Sequence, residues 1–408
     1  MLMIDDVKKN NKKHRATINA GAPKPSPDTD SFLTPEQMAA LDEAEQKVPI
    51  DSEIPVPKKT KKKFKLRMPK NKKEWAITIL VALLLIAGGF FAWQKFIKKT
   101  PISLPHHSAK KSNLVPSTLS GLPVEPSVNK RPVTGVMIEN SMDARPQSGL
   151  GDASVVFEAI AEGGITRFLA LFQDTAPENI GPIRSARPYY AQWVLGFDAG
   201  YAHVGGSPQA LADIRNWNVR DLDQFANGGS YRRVSERPAP HNVYTSMSAL
   251  NKLEDSKGWG TSQFKGFVRK PQSAAKIPTA KSINFAISGP IYNSHYDYDA
   301  KTNSYLRSEG GQVHTDANTS KQINPKVVIG LIMPYSIESD GIHSVYDTIG
   351  TGQAYVFQDG KFSIGSWTKN SNEEQFTFQD ASGNPLKLNA GKTWLTVLRS
   401  PGQVTYTP

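Results

Sequence analysis

The sequence predicts a mixed α/β part followed by a predominantly β part, placed behind a single transmembrane helix and a disordered cytoplasmic tail. Residues 75–97 are apolar through their middle and long enough to cross a bilayer, which takes about 20 residues. Strand and helix patterns alternate over residues 130–267, which is typical of an α/β layer. Over residues 268–408 the helical patterns disappear, and short strand patterns follow one another.

The charges on either side of the apolar stretch predict its orientation. Ten basic residues and no acid lie between Lys58 and Lys73, whereas three lysines follow the stretch closely. Short segments rich in Lys and Arg are retained on the cytoplasmic side of a membrane. We therefore expect a single-pass protein of the cell membrane, with residues 1–74 in the cytoplasm and the C-terminal part outside. The basic segment is also placed to contact anionic lipid.

Composition separates the segments near the membrane from the rest of the chain. Residues 1–74 are rich in Lys, Pro, Asp and Ser, which predicts a disordered tail, and residues 98–129 have the Pro, Ser and Lys content of a stalk. After residue 112 there are 27 basic and 26 acidic residues, so the net charge of +12 is concentrated near the membrane. A nucleic-acid partner is therefore not expected.

The absence of cysteine narrows the chemistry that the chain can perform. With no Cys among its 408 residues, the protein has no disulfide, no thiol nucleophile, no Cys-ligated zinc and no cysteine to accept a lipid. No zinc-protease helix motif or serine-hydrolase elbow is present either. We predict no cofactor and no metal, and no residue is singled out as catalytic.

The strands of the α/β part are predicted from apolar runs. Residues 132–140 read as an opening strand, and residues 154–173 read as two strands joined through Glu162, Gly163 and Gly164. Because these runs are nearly continuous, we expect a sheet that is buried on both faces and covered by helices.

Three helices are predicted after these strands. They cover residues 186–197, residues 208–217 with Ser207 as the cap, and residues 246–256 with Ser246 or Ser248 as the cap. A short strand at residues 200–204 separates the first two helices. In the β part, Asp359-Gly360 between alternating apolar residues predicts a two-residue hairpin turn.

Two arginines at a predicted helix start are the first candidates for a ligand site. Arg184 and Arg187 lie about one turn apart, and two guanidinium groups beside free backbone N–H groups can bind an anion. The alternative, equally compatible with the sequence, is that they pair with Glu158 or Asp198 and hold the domain together.

Two further segments contain polar residues in probable turns of the α/β part. His203 and Ser207 lie where a strand ends in a glycine turn that opens a helix, a common ligand position in α/β sheets, although a structural turn explains them too. Arg233, His241 and Asn242 belong to one Pro-stiffened loop. We expect Arg184, Arg187, His203, Arg233 and His241 to line one polar cleft, with Ser207, Asn242 and Glu158 as further candidates.

Several of these motifs occur together in a recognisable order. The segments TRFLALF, IGPIRSARPYY, HVGGSP and RPAPHNVYTS, followed by GQAYVFQDGKFSIGSW and GKTWLTVL, resemble the YerB-like family of bacterial extracytoplasmic proteins. The resemblance extends over residues 130–408. It implies an α/β N-terminal part, a distinct C-terminal part and attachment to the membrane, but no reaction. The chain departs from the usual lipid-anchored pattern because it lacks the lipid-accepting cysteine.

Two functional hypotheses remain open. The preferred one is a membrane-anchored extracytoplasmic binding or scaffolding protein, whose partner is a cell-envelope polymer or an envelope protein. The alternative is an envelope hydrolase or transferase that uses His203, His241 and Glu158. An enzyme requires these groups within hydrogen-bond reach of one another, whereas a binding protein requires only converging donors.

Overall fold

The computed structural model describes residues 113–408. The predicted tail, the predicted transmembrane helix and residues 98–112 of the predicted stalk lie outside this range. Within it, no helix is both long and apolar enough to cross a membrane. The described part is rich in strands and contains three short α-helices, all before residue 257.

The helices agree closely with the sequence analysis. They are α1 (Pro188–Leu195), α2 (Pro208–Asn216) and α3 (Met247–Ser256). Short 3-10 helices span Val128–Lys130, Met142–Ala144, Leu150–Asp152, Gly228–Ser230, Pro290–Tyr292 and Pro401–Gln403. As predicted, the Ser207 side chain accepts a hydrogen bond from the Ala210 N–H, and the Ser246 side chain accepts one from the Ala249 N–H. These contacts satisfy backbone donors of the first helical turn.

Twenty-three strands follow one another along residues 113–408. Before residue 268 they are β1 (Val115–Pro116), β2 (Pro123–Val124), β3 (Thr134–Glu139), β4 (Val155–Glu162), β5 (Ile165–Phe172), β6 (Gly200–Ala202), β7 (Arg220–Asp221), β8 (Arg232–Arg233) and β9 (Val243–Tyr244). After it they are β10 (Arg269–Lys270), β11 (Ser282–Phe285), β12 (Ser294–Asp299), β13 (Ser304–Glu309), β14 (Gln312–Val313), β15 (Val327–Ile332), β16 (Tyr335–Ile337), β17 (Ser344–Tyr346), β18 (Gly350–Gln358), β19 (Lys361–Lys369), β20 (Thr377–Asp380), β21 (Leu388–Asn389), β22 (Thr393–Leu398) and β23 (Val404–Thr407).

A ten-stranded mixed sheet forms the centre of the protein. Its order is β20-β19-β18-β15-β22-β4-β5-β3-β6-β7. The parallel pair β22–β4 joins strands from the two sides of residue 268, so a single sheet is shared by the α/β part and the β part. Strands β15, β22, β4, β3, β6 and β7 all run in the same direction, and β5 runs against its neighbours β4 and β3.

The central strands of this sheet are buried on both faces, as their apolar runs predict. All eight residues of β4 are buried, and successive side chains enter two different cores. Helices α1 and α2 cover one face, where Trp193 packs among Phe157 and Phe376. The other face is covered by α3 and also by a second sheet, with the order β14-β13-β12-β11-β23.

The second sheet is a departure from the expected cover of helices alone. Its inward residues alternate with exposed ones along the strands, as Ile283 and Phe285 do in β11, so the sheet has one apolar face to bury. The predicted hairpin turn is present between β18 and β19. Asp359 (φ 57°) and Gly360 (φ 71°) both adopt the left-handed conformation that a two-residue turn requires.

Candidate functional site

The carboxyl ends of the parallel strands contain most of the candidate residues. Strands β3 and β4 end at Glu139 and Glu162, and His203 follows β6. The segment formed by residues 180–187 lies across this edge, because its backbone bonds to residues 137–139, 204–207 and 243–245. The fold therefore brings the arginine, glycine-turn and histidine segments of the sequence side by side.

Glu139 is the centre of a polar cluster at the end of β3. His241 Nδ1 lies 2.8 Å from Glu139 Oε1, the Ser141 hydroxyl donates to the same oxygen at 2.8 Å, and Arg184 Nε lies 3.4 Å from it. Glu139 is only 3% exposed. Burial alone would raise the pKa of this carboxyl, but the Arg184 guanidinium and the His241 hydrogen bond outweigh it and hold the pKa below its ordinary value. Glu139 is therefore a carboxylate at neutral pH.

The neighbouring loop extends the cluster to the surface. Arg233 is exposed on β8 and donates to Asn242 Oδ1 at 2.8 Å. Asp143, which is largely exposed, has a carboxylate oxygen 3.9 Å from His241 Nε2. We call this group the β3-edge cluster; its members are Glu139, Ser141, Asp143, Arg184, Arg233, His241 and Asn242.

A second carboxylate lies beside the β3-edge cluster, at the end of β4. Glu162 pairs with both Arg167 and Arg187. Arg167 also donates to the Ser185 carbonyl at 3.0 Å, next to Arg184 in the chain. The Arg187 side chain is 1% exposed, so it holds the α1 start against β4 and β5 and is not accessible to a ligand.

His203 and Ser207 have their polar atoms engaged inside the protein. His203 is completely buried, with Nδ1 2.7 Å from the Gly205 carbonyl and Nε2 3.1 Å from Asp221 Oδ1. Ser207 is 4% exposed and caps α2. Both residues therefore shape the glycine turn between β6 and α2.

Glu158 lies away from this edge, between the two sheets. Its carboxylate binds Arg307 of β13 at 2.8 Å, the Trp394 indole N–H at 2.9 Å and the Thr396 hydroxyl at 3.2 Å. Glu158 and Arg307 are both 0% exposed. A buried charge without a counter-charge is strongly destabilising, so the ion pair between Glu158 and Arg307 holds the second sheet against the first.

The geometry does not assemble the predicted catalytic group. His203 contacts Asp221, His241 contacts Glu139, and Glu158 contacts Arg307. Ser141 approaches His241 through Nδ1 at 3.4 Å, the same nitrogen that faces Glu139. A serine nucleophile would instead face the ring nitrogen opposite the carboxylate. The arrangement supplies hydrogen-bond donors and charge at a surface.

The acids at this edge differ from the arginine partners expected from the sequence. Arg184 and Arg187 pair with Glu139 and Glu162, whereas the sequence suggested Glu158 or Asp198. Asp198 pairs with Arg220 instead. The available signal was that two predicted strands each end in a glutamate.

Two other surface features are formed by residues outside the β3-edge cluster. Among residues 113–408, one group has the spacing of metal ligands, namely Glu338, Asp340 and His343 at the tip of the β16–β17 hairpin. A shallow depression of about 320 Å³ lies at the amino ends of β6 and β7, the opposite edge of the sheet. It is lined by Leu195, Asp198, Ala199, Asn218, Arg220, Gln263 and Glu373.

Comparison with known proteins places the fold and these segments in a family. The model of the N-terminal domain of the DUF3048 proteins, a family of unknown function, matches residues 119–260, and the model of the C-terminal domain matches residues 283–395. The chain belongs to the DUF3048 family. The two matched ranges contribute strands to the same central sheet.

Two comparisons with a Bacillus subtilis protein support this assignment. The chain is 34% identical over 304 residues to the protein named "Putative lipoprotein YerB", covering 71% of this chain and 90% of that protein. The crystal structure of YerB matches with a TM-score of 0.65 and 29% identity, over 72% of this chain and all of that one. The resemblance to the YerB-like family is thus confirmed, and YerB shares this fold.

Proposed function

We propose that this DUF3048 protein is a membrane-anchored, extracytoplasmic binding protein of the cell envelope. The β3-edge cluster is its binding surface, and its ligand is an anionic or polyhydroxylated envelope component. The observation that supports this most is the meeting of Arg184 and His241 at one buried carboxylate, with exposed Arg233 beside them. Glu139 thereby ties together three segments that are far apart in the sequence, and Arg233 offers a cationic donor at the surface.

The chemistry of this surface favours an anionic ligand. Glu139 is neutralised by Arg184, while Arg233 is held by the neutral Asn242 and keeps its positive charge for a partner. A guanidinium group binds a carboxylate or phosphate through two parallel hydrogen bonds. Asp143 at the rim accepts hydrogen bonds, so a ligand with hydroxyl groups as well as anionic groups fits best.

The membrane anchor is the second element of the proposal. The YerB relative is named as a lipoprotein, which is a protein tethered by a lipid. This chain contains no cysteine, and its residues 75–97 have the length and apolarity of a membrane-spanning helix. We infer that the same kind of domain is tethered here by a helix and faces outward.

Cosedimentation with isolated cell-wall sacculi tests the binding proposal. Full-length protein in detergent is mixed with sacculi that retain their phosphate-containing polymers and with sacculi from which acid has removed them. Binding is expected to the first and to fall as salt is added, because charge contacts are screened. Hydrogen bonds to charged groups are worth about 1.5–3 kcal/mol, so Arg233→Ala should weaken binding about tenfold or more.

Arg215→Ala is the matched control, since Arg215 is an exposed arginine at the end of α2, outside the β3-edge cluster. This variant should bind like the unchanged protein. Equal binding by the Arg233→Ala and Arg215→Ala variants would contradict the proposed surface.

A further inference from the structure

A lysine, an asparagine and an aspartate meet beneath the β18–β19 hairpin. Lys270 Nζ donates to Asp359 Oδ2 at 2.6 Å and also contacts Asn389 Oδ1. The Asn389 Nδ2 group donates to Asp359 Oδ1 at 2.7 Å. One carboxylate therefore touches both the amine of the lysine and the amide nitrogen of the asparagine.

The backbone pairing of β10 with β21 places these side chains together. Lys270 and Asn389 are register partners in the parallel ladder β10–β21, so their Cα atoms stand opposite each other. Asp359 is the first residue of the hairpin turn and accepts two more hydrogen bonds, from the Ser273 N–H at 3.0 Å and from Asn303 Nδ2 at 2.9 Å. The carboxylate is thus held in one orientation between the other two side chains.

The group is largely withdrawn from water. Asn389 is 0% exposed, and the side chains of Asp359 and Lys270 are 10% and 28% exposed. Water is therefore a poor competitor for the asparagine carbonyl carbon, while the amine already lies against that amide. Held in this way, two groups react with a high effective concentration.

We propose that Lys270 and Asn389 join in an intramolecular amide bond, with Asp359 as the group that transfers the protons. This covalent cross-link is independent of the proposed binding function. It adds a modification site in the C-terminal part of the chain.

The reaction balances without an oxidant or a further reactant. The ammonium of Lys270 passes a proton to Asp359 Oδ2, and the free amine attacks Asn389 Cγ to form the new C–N bond. Asp359 then gives its proton to Nδ2 of Asn389 and receives one of the two protons on Nζ, while the other stays on the nitrogen of the new amide. The bond between Cγ and Nδ2 breaks, ammonia leaves, and it takes up the proton of Asp359 in water. The product is one amide between two side chains, together with one ammonium ion.

The protonation of the pair sets the pH range of the reaction. Burial raises the pKa of Asp359, but hydrogen bonds from Lys270, Asn303 and Asn389 lower it more, so an ion pair is the resting form. The ion pair and the reactive neutral pair contain the same number of protons. The rate is therefore flat while the ion pair persists and falls in acid, where Asp359 is already protonated and cannot accept the proton of the amine.

The position of the bond gives it a structural effect. Lys270 and Asn389 are 119 residues apart, and the segment between them includes strands β11 to β20. A cross-link over such a span restricts the unfolded chain, as a disulfide does. In a chain with no cysteine, it supplies a covalent closure that needs no oxidation.

Intact mass spectrometry of the full-length protein tests the proposal. After incubation for several days at neutral pH, the mass should be lower than the sequence mass by about 17 Da, the mass of the ammonia lost in this modification. Trypsin should then release a branched peptide that joins residues 270–276 to residues 388–392. The sequence mass together with two separate peptides would overturn the proposal.

Variants distinguish ammonia lost in forming this cross-link from ammonia lost in reactions elsewhere in the chain. Asn389→Ala removes the electrophile, and Asp359→Asn removes the proton carrier while fitting the left-handed backbone at φ 57°, which asparagine tolerates. Both should show the full sequence mass. Lys276→Arg changes an exposed lysine on the same segment and should retain the loss of ammonia. A loss that persists in Asn389→Ala would show that it arises elsewhere.

Discussion

The contact between His241 and Glu139 joins two segments that are 102 residues apart in the chain. It fixes the loop after β8 to the end of β3, and Arg184 approaches the same carboxylate from the segment between them. The β3-edge cluster exists because a buried carboxylate requires partners, and the fold supplies them from separate loops.

The first prediction concerns this carboxylate. Glu139→Gln keeps the size of the side chain but removes the counter-charge of Arg184. Removing one member of a buried ion pair costs about 3–5 kcal/mol, so the free energy of unfolding measured in urea should fall by this amount. Asp143→Asn, at an exposed neighbour, should change it little. Equal stability of the two variants would mean that Glu139 is not buried among charges.

The second prediction is a loss of stability in acid. Because the pKa of Glu139 in the folded protein is below its ordinary value of 4.5, this group stabilises the fold above that pH. The contribution is lost as the pH falls below 4.5 and through the lower folded value. Urea unfolding from pH 6 to pH 3 should show this slope, reduced in Glu139→Gln. An unchanged slope in the variant would assign acid sensitivity to other carboxyls.

The third prediction concerns Glu254 on α3. Its effect on stability has the opposite pH dependence to that of Glu139. Burial raises its pKa to about 8, against a hydrogen bond from Thr134 at 2.9 Å. The folded protein then keeps a proton that the unfolded chain loses above about pH 4.5. Its stability should fall as the pH rises from about 4.5 to about 8. Glu254→Gln should flatten this part of the profile, and retention of the slope would contradict the raised pKa.

The fourth prediction concerns the pair that joins the two sheets. Arg307→Met leaves Glu158 buried without its counter-charge and should lower the free energy of unfolding by about 3–5 kcal/mol. The double variant Glu158→Leu with Arg307→Met should recover part of that loss, because the apolar pair needs no counter-charge, although Trp394 and Thr396 lose their acceptor. Chemical denaturation of the three proteins measures both effects. A double variant less stable than the single one would contradict the account.

The fifth prediction concerns topology. Protease added to intact cells should remove the C-terminal part and leave a tag at Met1 protected, because ten basic residues precede the predicted span. Cells opened with detergent provide the control in which the tag is also lost. Protection of the C-terminal part in intact cells would reverse the proposed orientation.

Local features of the fold were predictable from the sequence. Ser207 and Ser246 cap their helices, and Asp359-Gly360 forms its turn, because each depends on neighbours within a few residues. The second sheet was not expected as a cover, because its inward face depends on how β11–β13 pack against a distant part of the chain.

The site was predictable in its residues but only partly in its arrangement. Arg184 and His241 meet at Glu139, and Arg233 contacts Asn242, the residue after His241. In contrast, His203 and Arg187 are buried in separate contacts, and Glu158 lies between the sheets. No spacing in the sequence distinguishes these cases, because each arginine could reach several acids. Strand register determines which acid each arginine contacts, because it places Glu139 and Glu162 at one edge of the sheet.

The most direct test of the binding surface is hydrogen–deuterium exchange of the full chain with and without soluble phosphate-containing cell-wall fragments. We expect slower exchange in residues 140–147, 181–187 and 231–242, and weaker protection of these residues in the Arg233→Ala protein at the same fragment concentration. Slower exchange confined to residues 268–408, or equal protection of both proteins, would contradict the claim that the β3-edge cluster binds the envelope.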